Sequence, residues 1–450
     1  MAVATMDHGW QFRPAPKYAA HGVVRGVPPG ETIRLVSPLM ARIGVTRIAE
    51  VTGLDRVGIP NFIAARPRER GEGISYYNGK GLTRDAAKAG ALMEAIERYS
   101  GESCDLPTHY CDRAELERRG PTVDPAELIV PPRTEYRPGL QLEWVEGFDL
   151  LSRRPTYLPL NAVVCPYDPP PGRPTLHYAT TNGLASGNTL EEAVCHALCE
   201  VIERDATALC AASRDLAPAV AQILESMATG SLEAEALVPV HGFPLIDLAS
   251  LPEQAQVLVD KLRRARLLVY LRDATSTVGI ATLDCAIVEP RSDGCHLVHG
   301  GSGTHPDARV AATRALTEAA QSRVGHIQGG REDLPSIVRT PVAFDPDEVY
   351  GRGELRPFSS IRSYQHGRID EDIACLLDGL QRDGFPQVVA VDLTRPEVGV
   401  PVVRIVVPRA EAWNVFFIHA RRAVFGTRVS RILRETLHEG GGHGPIRLAL

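Results

Sequence analysis

Apolar residues recur at helical spacing in two stretches of the chain that are near copies of each other. In the first, Leu92, Ile96 and Tyr99 line one side of a helix. Glu94 and Glu97, three residues apart, share the other side, with Gly90 one turn before them and Arg98 beside them. In the second, Val194, Leu198, Val201 and Ile202 form the apolar side, while Asn188, Glu192, His196, Cys199 and Glu203 form a polar stripe with Glu200 at its edge. Aligning Glu94 with Glu200 also pairs Gly81 with Gly187, Thr83 with Thr189, Ala87 with Ala193, Glu97 with Glu203 and Arg98 with Arg204. Both helices have start signals, because Thr83 and Thr189 stand at N-cap positions and Asp85 and Glu191 enrich the first turns with acid. Two copies are too few and too far apart for a solenoid, so the pattern predicts a pseudo-symmetric pair of helices facing one site.

Elsewhere the pattern changes period. Leu267 to Arg272, Ile280 to Val288, Gln387 to Leu393 and Val402 to Val407 are aliphatic or β-branched and predict strands. A short helix is expected around Leu35 to Ile43, and another within residues 361–384. Cys165 to Pro174 is a proline-dense loop separating the two copies. Mixed strands and helices predict an α/β (α+β) fold, most simply a mixed sheet with the repeated helices on one side. The organisation expected is an N-terminal region, residues 1–70, followed by one domain over residues 71–450.

Charge adds chemistry to the helix pair. Glutamates three apart on one face repel, and no lysine sits a turn away to offset them. A pair of amphipathic helices with solvated acidic faces would account for either copy alone; the repetition favours a shared cation, and carboxylate oxygens suit Mg²⁺, Ca²⁺ or Mn²⁺. Neither copy has the Glu-x-x-His of a di-iron bundle. The adjacent Arg98 and Arg204 suit a polyanion whose oxygens the metal bridges, so carboxylates with arginines point to a magnesium–nucleotide site. A weaker third echo, Ala315 to Arg323, has Gln321 in place of the second glutamate and Arg323 displaced by one position. It follows Gly300-Gly-Ser-Gly-Thr304, which reads as a glycine-rich turn or a phosphate-cradling loop, with Pro306-Asp307 as a helix start. Gly79-Lys80-Gly81 lacks the further glycine and the Ser/Thr of a Walker A loop.

Taken together, Gly79-Lys-Gly81, Ala91-Leu-Met-Glu-Ala-Ile-Glu-Arg98, Asn182-Gly-Leu-Ala-Ser-Gly-Asn-Thr189, Glu192-Ala193, Glu200-Val-Ile-Glu-Arg-Asp205 and Glu318-Ala-Ala-Gln-Ser-Arg323 resemble the motifs of the YcaO family of ATP-dependent enzymes that modify peptide backbone amides. The resemblance implies a YcaO-type fold, with Glu94, Glu97, Glu192, Glu200 and Glu203 holding Mg²⁺. It further implies that ATP is contacted by Asn188, Arg204 and Arg323, with Lys80, Arg98 and Gln321 completing the nucleotide-binding set. Two positions depart from the family pattern: Gly90 and Ala185 stand where serine is usual, and Ser186 lies next to the second. In such enzymes transfer of the γ-phosphoryl group to an amide oxygen turns that oxygen into a leaving phosphate, a task met by positioning and charge neutralisation. An internal Cys, Ser or Thr nucleophile then gives an azoline, and external sulfide gives a thioamide. The chain ends Pro445-Ile-Arg-Leu-Ala-Leu450, without the proline-rich tail common in azoline-forming members that modify ribosomal peptides. Val45 to Pro60 resembles the branch paired with TfuA proteins, which implies thioamidation of a peptide or protein with a TfuA-like partner.

Bulk composition sets outer bounds. With 450 residues, 44% hydrophobic and 23% charged, the chain can bury a large core. A formal net charge of −6 without a basic block argues against nucleic acid. No stretch has the length of a signal peptide's apolar core or of a membrane span. Nine scattered cysteines without a Cys-x-x-Cys pair fit reduced thiols in a cytoplasm, and Cys195 and Cys199 read as helix packing. The sequence leaves a homodimer open.

Overall fold

Glycines decide how closely the repeated helices approach their strands. A Cβ on Gly79 would collide with the Ala87 carbonyl and the Ala91 amide; a Cβ on Gly187 would meet the Ala193 amide and the Thr189 carbonyl. Gly303 has the same relation to Ala311 and Ala315 that Gly79 has to Ala87 and Ala91. The third echo is therefore a third structural copy of one unit, a strand whose glycine seats the backbone of the helix that follows. The computed structural model describes residues 10–20, 23–67, 75–103, 105–129, 136–176, 180–213, 243–330, 343–412 and 428–429. The tail Pro445 to Leu450 lies outside the described residues.

The three repeat helices are Arg84–Gly101, Leu190–Ala211 and Ala308–Gln328. The first two begin as expected: the Thr83 and Thr189 hydroxyls accept from the Ala86 and Glu192 amides, and Asp307 caps the third by accepting from the Arg309 amide. Their preceding strands, Tyr76–Lys80, Leu184–Ser186 and Leu297–Thr304, each form an edge of a different sheet. The first sheet is the antiparallel set Arg47–Glu50, Asn61–Ala65 and Tyr76–Lys80. In the second, Leu184–Ser186 pairs with Val402–Val406, followed by Val389–Asp392, Leu142–Asp149 and Thr108–Cys111, with Arg154–Pro159 also on Leu142–Asp149. In the third, Leu297–Thr304 pairs with Thr282–Glu289, then Leu268–Asp273, Leu245–Ile246 and finally Leu355–Arg356, which runs parallel.

The mixed α/β class is as expected, but one sheet with helices on one side resolves into three sheets with one repeat helix on each. The first helix also touches Leu184–Ser186, the second touches Leu297–Thr304 and the third touches Tyr76–Lys80, so the units close on one another. The aliphatic strands lie close to where their composition predicts. Gly300 to Thr304 is neither a turn nor a phosphate loop: it is part of the strand Leu297–Thr304, because Gly301 and Gly303 leave room for the helix backbone. The helix expected around Leu35 starts earlier, at Pro29–Val36, since proline at the first turn suits a helix start.

Apolar burial ties the units together. Val36, Met40 and Ile43 share a core with Leu92, Ile96 and Val402, so packing crosses residue 70 without interruption. The second repeat helix packs Val194, Leu198 and Ile202 against Ile373 and Leu376 of the helix Ile369–Arg382. The third packs Ala311, Ala315 and Leu316 against Leu258 and Leu262 of the helix Glu253–Arg264.

Candidate active site

Small residues on the strand-facing sides of the helices leave their longer polar side chains to converge between the units. On the first helix Glu94 accepts from the Asn78 amide at 3.0 Å, and Glu97 accepts from the Ser186 amide at 3.2 Å. Arg98 lies 3.2 Å from Glu94 and 3.9 Å from Glu97. On the second helix Arg204 lies 3.7 Å from Glu200. Glu192 accepts from the Asn188 amide group at 3.0 Å, and Glu203 is buried. The third helix contributes Glu318, which pairs with Lys80 and repeats the Glu94 contact by accepting from the Ser302 amide at 3.5 Å. Gln321 donates to the Asn78 carbonyl at 2.7 Å.

This crowding shifts the acids upward. Burial raises Glu97 well above the usual carboxylate range, opposed by Arg98 and reinforced by Glu200 and Glu94. Burial raises Glu200 as well, against Arg204 and Arg98. Glu203 is pushed up to about 7 by burial and by Glu318. Burial also works on Glu318, but Lys80 and Arg204 outweigh it and hold that carboxyl below its ordinary value. Burial, with Arg314, Arg25 and Lys80 nearby, keeps His196 neutral.

The buried atoms left without a hydrogen-bond partner among the described residues include Arg98 Nε, Arg314 Nε, Arg404 Nη1 and Glu203 Oε2. Unsatisfied guanidinium donors and an unsatisfied carboxylate oxygen among the same residues suit an anion bridged by a hard cation. The site's residues therefore fit Mg²⁺ with a nucleotide phosphate chain.

Ten of the eleven residues expected from the sequence come together here. Arg323 does not. Its Nε donates to Asp55 at 3.0 Å and its Nη1 to Glu289 at 2.6 Å, so this buried fork ties the segment around Asp55 to the third sheet. The one-residue displacement explains this: a rotation of about 100° per residue takes Arg323 off the face of Glu318 and Gln321. Arg314, one turn before Glu318, stands on that face and acts on Glu203, Glu200 and Glu318. The i, i+4 spacing to Glu318 was the signal for it. Arg404, buried in the Val402–Val406 strand, was legible as a lone arginine among aliphatic residues.

The N-terminal residues also join the site. The Gly26 amide donates to Glu192 at 3.0 Å, Arg25 lies 3.7 Å from the same carboxylate, and the Thr32 hydroxyl donates to Asn188 at 2.9 Å. No local pattern marks these residues, because their partners are more than 150 positions away. At the two positions where the family usually has serine, Gly90 sits against Gly79 of the neighbouring strand, and Ala185 is fully buried. The Ser186 hydroxyl donates to the Met93 carbonyl at 3.0 Å, which with its amide bond to Glu97 fixes the first helix against the second unit.

Three helices presenting carboxylates and arginines to one another, with a lysine from the strand Tyr76–Lys80, define a class of magnesium- and nucleotide-dependent enzyme. Residues 78–411 match the family model described as YcaO cyclodehydratase, ATP- and Mg²⁺-binding, and the chain belongs to the YcaO family. It is an ATP-dependent peptide-modifying enzyme with ATP and Mg²⁺ as cofactors. A protein of Methanothermobacter thermautotrophicus is 37% identical over 404 residues, covering 87% of this chain and 96% of its own. A Rhizobium leguminosarum bv. trifolii protein, named for its place in the tfuA 3′ region, is 32% identical over 405 residues, covering 86% of this chain and 88% of its own. Among solved structures, the YcaO of Methanopyrus kandleri bound with AMPPCP and Mg²⁺ is 26% identical, with a TM-score of 0.68 over 92% of this chain and 98% of that one. Among the described residues no helix is long and apolar enough to cross a membrane.

Proposed function

We propose that this enzyme activates a peptide backbone amide by phosphorylating its oxygen so that external sulfide replaces it, giving a thioamide, with a TfuA-like protein as partner. The observation that carries the reading is the convergence of Glu94, Glu97, Glu192, Glu200 and Glu203 with Arg98, Arg204 and Lys80 between the repeat helices. The glutamates would hold Mg²⁺, and Lys80, Arg98, Asn188, Arg204 and Gln321 would surround the phosphates. Bound there, Mg²⁺–ATP supplies the phosphoryl group that makes the amide oxygen a leaving group. The chain's own task is positioning: the Asn78 and Ser186 amides aim Glu94 and Glu97, and Asn188 and Gly26 aim Glu192.

Support for sulfide as the nucleophile comes from the tfuA-region relative and from the Val45 to Pro60 stretch. The family description favours a second reading, a cyclodehydratase forming azolines on ribosomal peptides. Mass spectrometry of candidate peptides, incubated with enzyme, ATP, Mg²⁺, sulfide and the partner, separates them. A thioamide gains mass because sulfur replaces oxygen, whereas an azoline loses the mass of water. Loss of water with sulfide and partner present overturns the thioamide reading, and ATP use without any peptide change overturns both. The site of action proposed is the cytoplasm, in keeping with free thiols at all eight described cysteines.

A further inference from the structure

Cys195, His305 and Asp372 bring a thiol, a ring nitrogen and a carboxylate oxygen within 4.8 Å of one another in a buried cluster. As a metal site the cluster fails on chemistry. The Asp307 amide donates to His305 Nδ1 at 2.9 Å, which leaves the ring proton on Nε2, the atom 3.5 Å from Asp372. The positive charge that Asp372 needs is already supplied by Lys17, whose Nζ lies 2.5 Å from Oδ2, and His366 contacts the other oxygen at 2.9 Å. Lys17 and Asp372 side chains are only 7% and 1% exposed. A buried ion pair adds little net stability over apolar packing, so its use lies in what it holds in place.

What it holds is the strand that opens an N-terminal hairpin. Lys17 immediately precedes Tyr18–Ala20, which pairs antiparallel with Val23–Arg25, and Tyr18 stands directly opposite Arg25. Around Lys17 the backbone is bonded to the start of the helix Ile369–Arg382: the Lys17 amide donates to the Gly367 carbonyl at 3.1 Å, and the Ile369 amide to the Ala15 carbonyl at 2.8 Å. On the opposite strand, Arg25 and the Gly26 amide reach Glu192. One side of the hairpin is anchored and the other faces the nucleotide site.

We propose that Lys17 and Asp372 are positioning residues: their ion pair fixes the hairpin so that Arg25 and Gly26 meet Glu192 in the nucleotide site. The inference rests on the nucleotide reading of that site. The test measures the affinity of the full chain for Mg²⁺–AMPPCP by calorimetry. The double variant Lys17→Met with Asp372→Asn removes both charges, leaves no lone buried ion, and keeps one acceptor oxygen for the two histidines that contact Asp372. It should bind about tenfold more weakly, the loss of one charge-assisted contact, as should Arg25→Ala alone. Combining all three substitutions should weaken binding no further than the double variant does, because freeing the hairpin already removes the Arg25 contact. A purely structural role predicts additive losses instead, and additivity overturns the proposal. Wild-type affinity in either Lys17→Met with Asp372→Asn or Arg25→Ala also overturns it, while weakened binding by Glu203→Gln shows that the nucleotide reading survives. A wild-type chain that binds no nucleotide overturns both.

Discussion

The first and third repeat helices share a seat and differ in what they present. Each lies on a glycine of its own strand, Gly79 or Gly303, and each offers a glutamate, Glu94 or Glu318, to a backbone amide of that strand. The first ends Glu-x-x-Glu-Arg, and its arginine stays beside its glutamates. The third ends Glu-x-x-Gln-Ser-Arg, and its arginine turns away to Asp55 and Glu289. Packing of the unit is therefore kept three times, while the chemistry is divided among the copies: two are carboxylate-rich, and the third brings Glu318 and Arg314 to the same space. A helix backbone pressed on a strand permits little variation, whereas side chains that meet between the units can be redistributed.

The sharpest way to break this comparison is to remove a carboxylate from one of the acidic copies. Glu97→Gln or Glu203→Gln deletes a ligand charge with almost no change in volume, and should reduce peptide-dependent ATP turnover to background while leaving the far-ultraviolet circular dichroism unchanged. Normal turnover in both variants would place the site elsewhere. The shared seat is tested by Gly79→Ala and Gly303→Ala. Each Cβ would meet helix backbone, which cannot step aside as a flexible side chain can. Overpacking of this kind costs about 3 kcal/mol, read as a fall in the urea midpoint, and both positions should respond alike.

A smaller effect separates the two arginines of the third helix. Arg314→Lys removes a fork that faces the glutamates and should raise the KM for ATP about tenfold, the worth of one charge-assisted contact. Arg323→Lys loosens a buried tie to Asp55 and Glu289, and should lower the melting temperature while leaving the KM within error. The reverse assignment in steady-state kinetics would return Arg323 to the phosphates.

The sequence made the first two units legible because their information is local. Glutamates three apart and an arginine beside them share a helix face whatever surrounds them, and Thr83 and Thr189 mark where each helix begins. The third unit was half legible, since its Ala-Leu-x-Glu-Ala core was visible but a glycine run reads as a turn. It is a strand for a reason that lies outside itself, the helix backbone occupying the space of the absent Cβ atoms. Arg25 and Thr32 were hidden for a similar reason: what brings them to Glu192 and Asn188 is the path of the N-terminal segment, and no spacing records it. Arg323 faces Asp55 and Glu289 because the motif fixes its position in the chain, while the helix turn fixes its direction.

The smallest effect expected is a pH dependence that distinguishes the acidic copies from the third. Glu97, Glu200 and Glu203 are all raised in the folded protein, chiefly by burial, and Glu203 reaches about 7 against an ordinary 4.5. Between those values the folded chain holds more protons than the unfolded chain, so metal-free stability falls as pH rises through that window. Glu318, held low by Lys80 and Arg204, acts in the opposite sense and only below that window, where stability is lost as pH falls through its folded value. A bound cation requires the ionised carboxylates, so Mg²⁺ with nucleotide should raise the melting temperature more at about pH 8 than at about pH 5.5. Glu203→Gln removes one of the raised groups and should flatten the metal-free curve, whereas Gln321→Ala, which removes no charge, should leave its shape intact. Equal melting gains at both pH values would show that the glutamates are already ionised without the cation, and that the acidic copies are no more strained than the third.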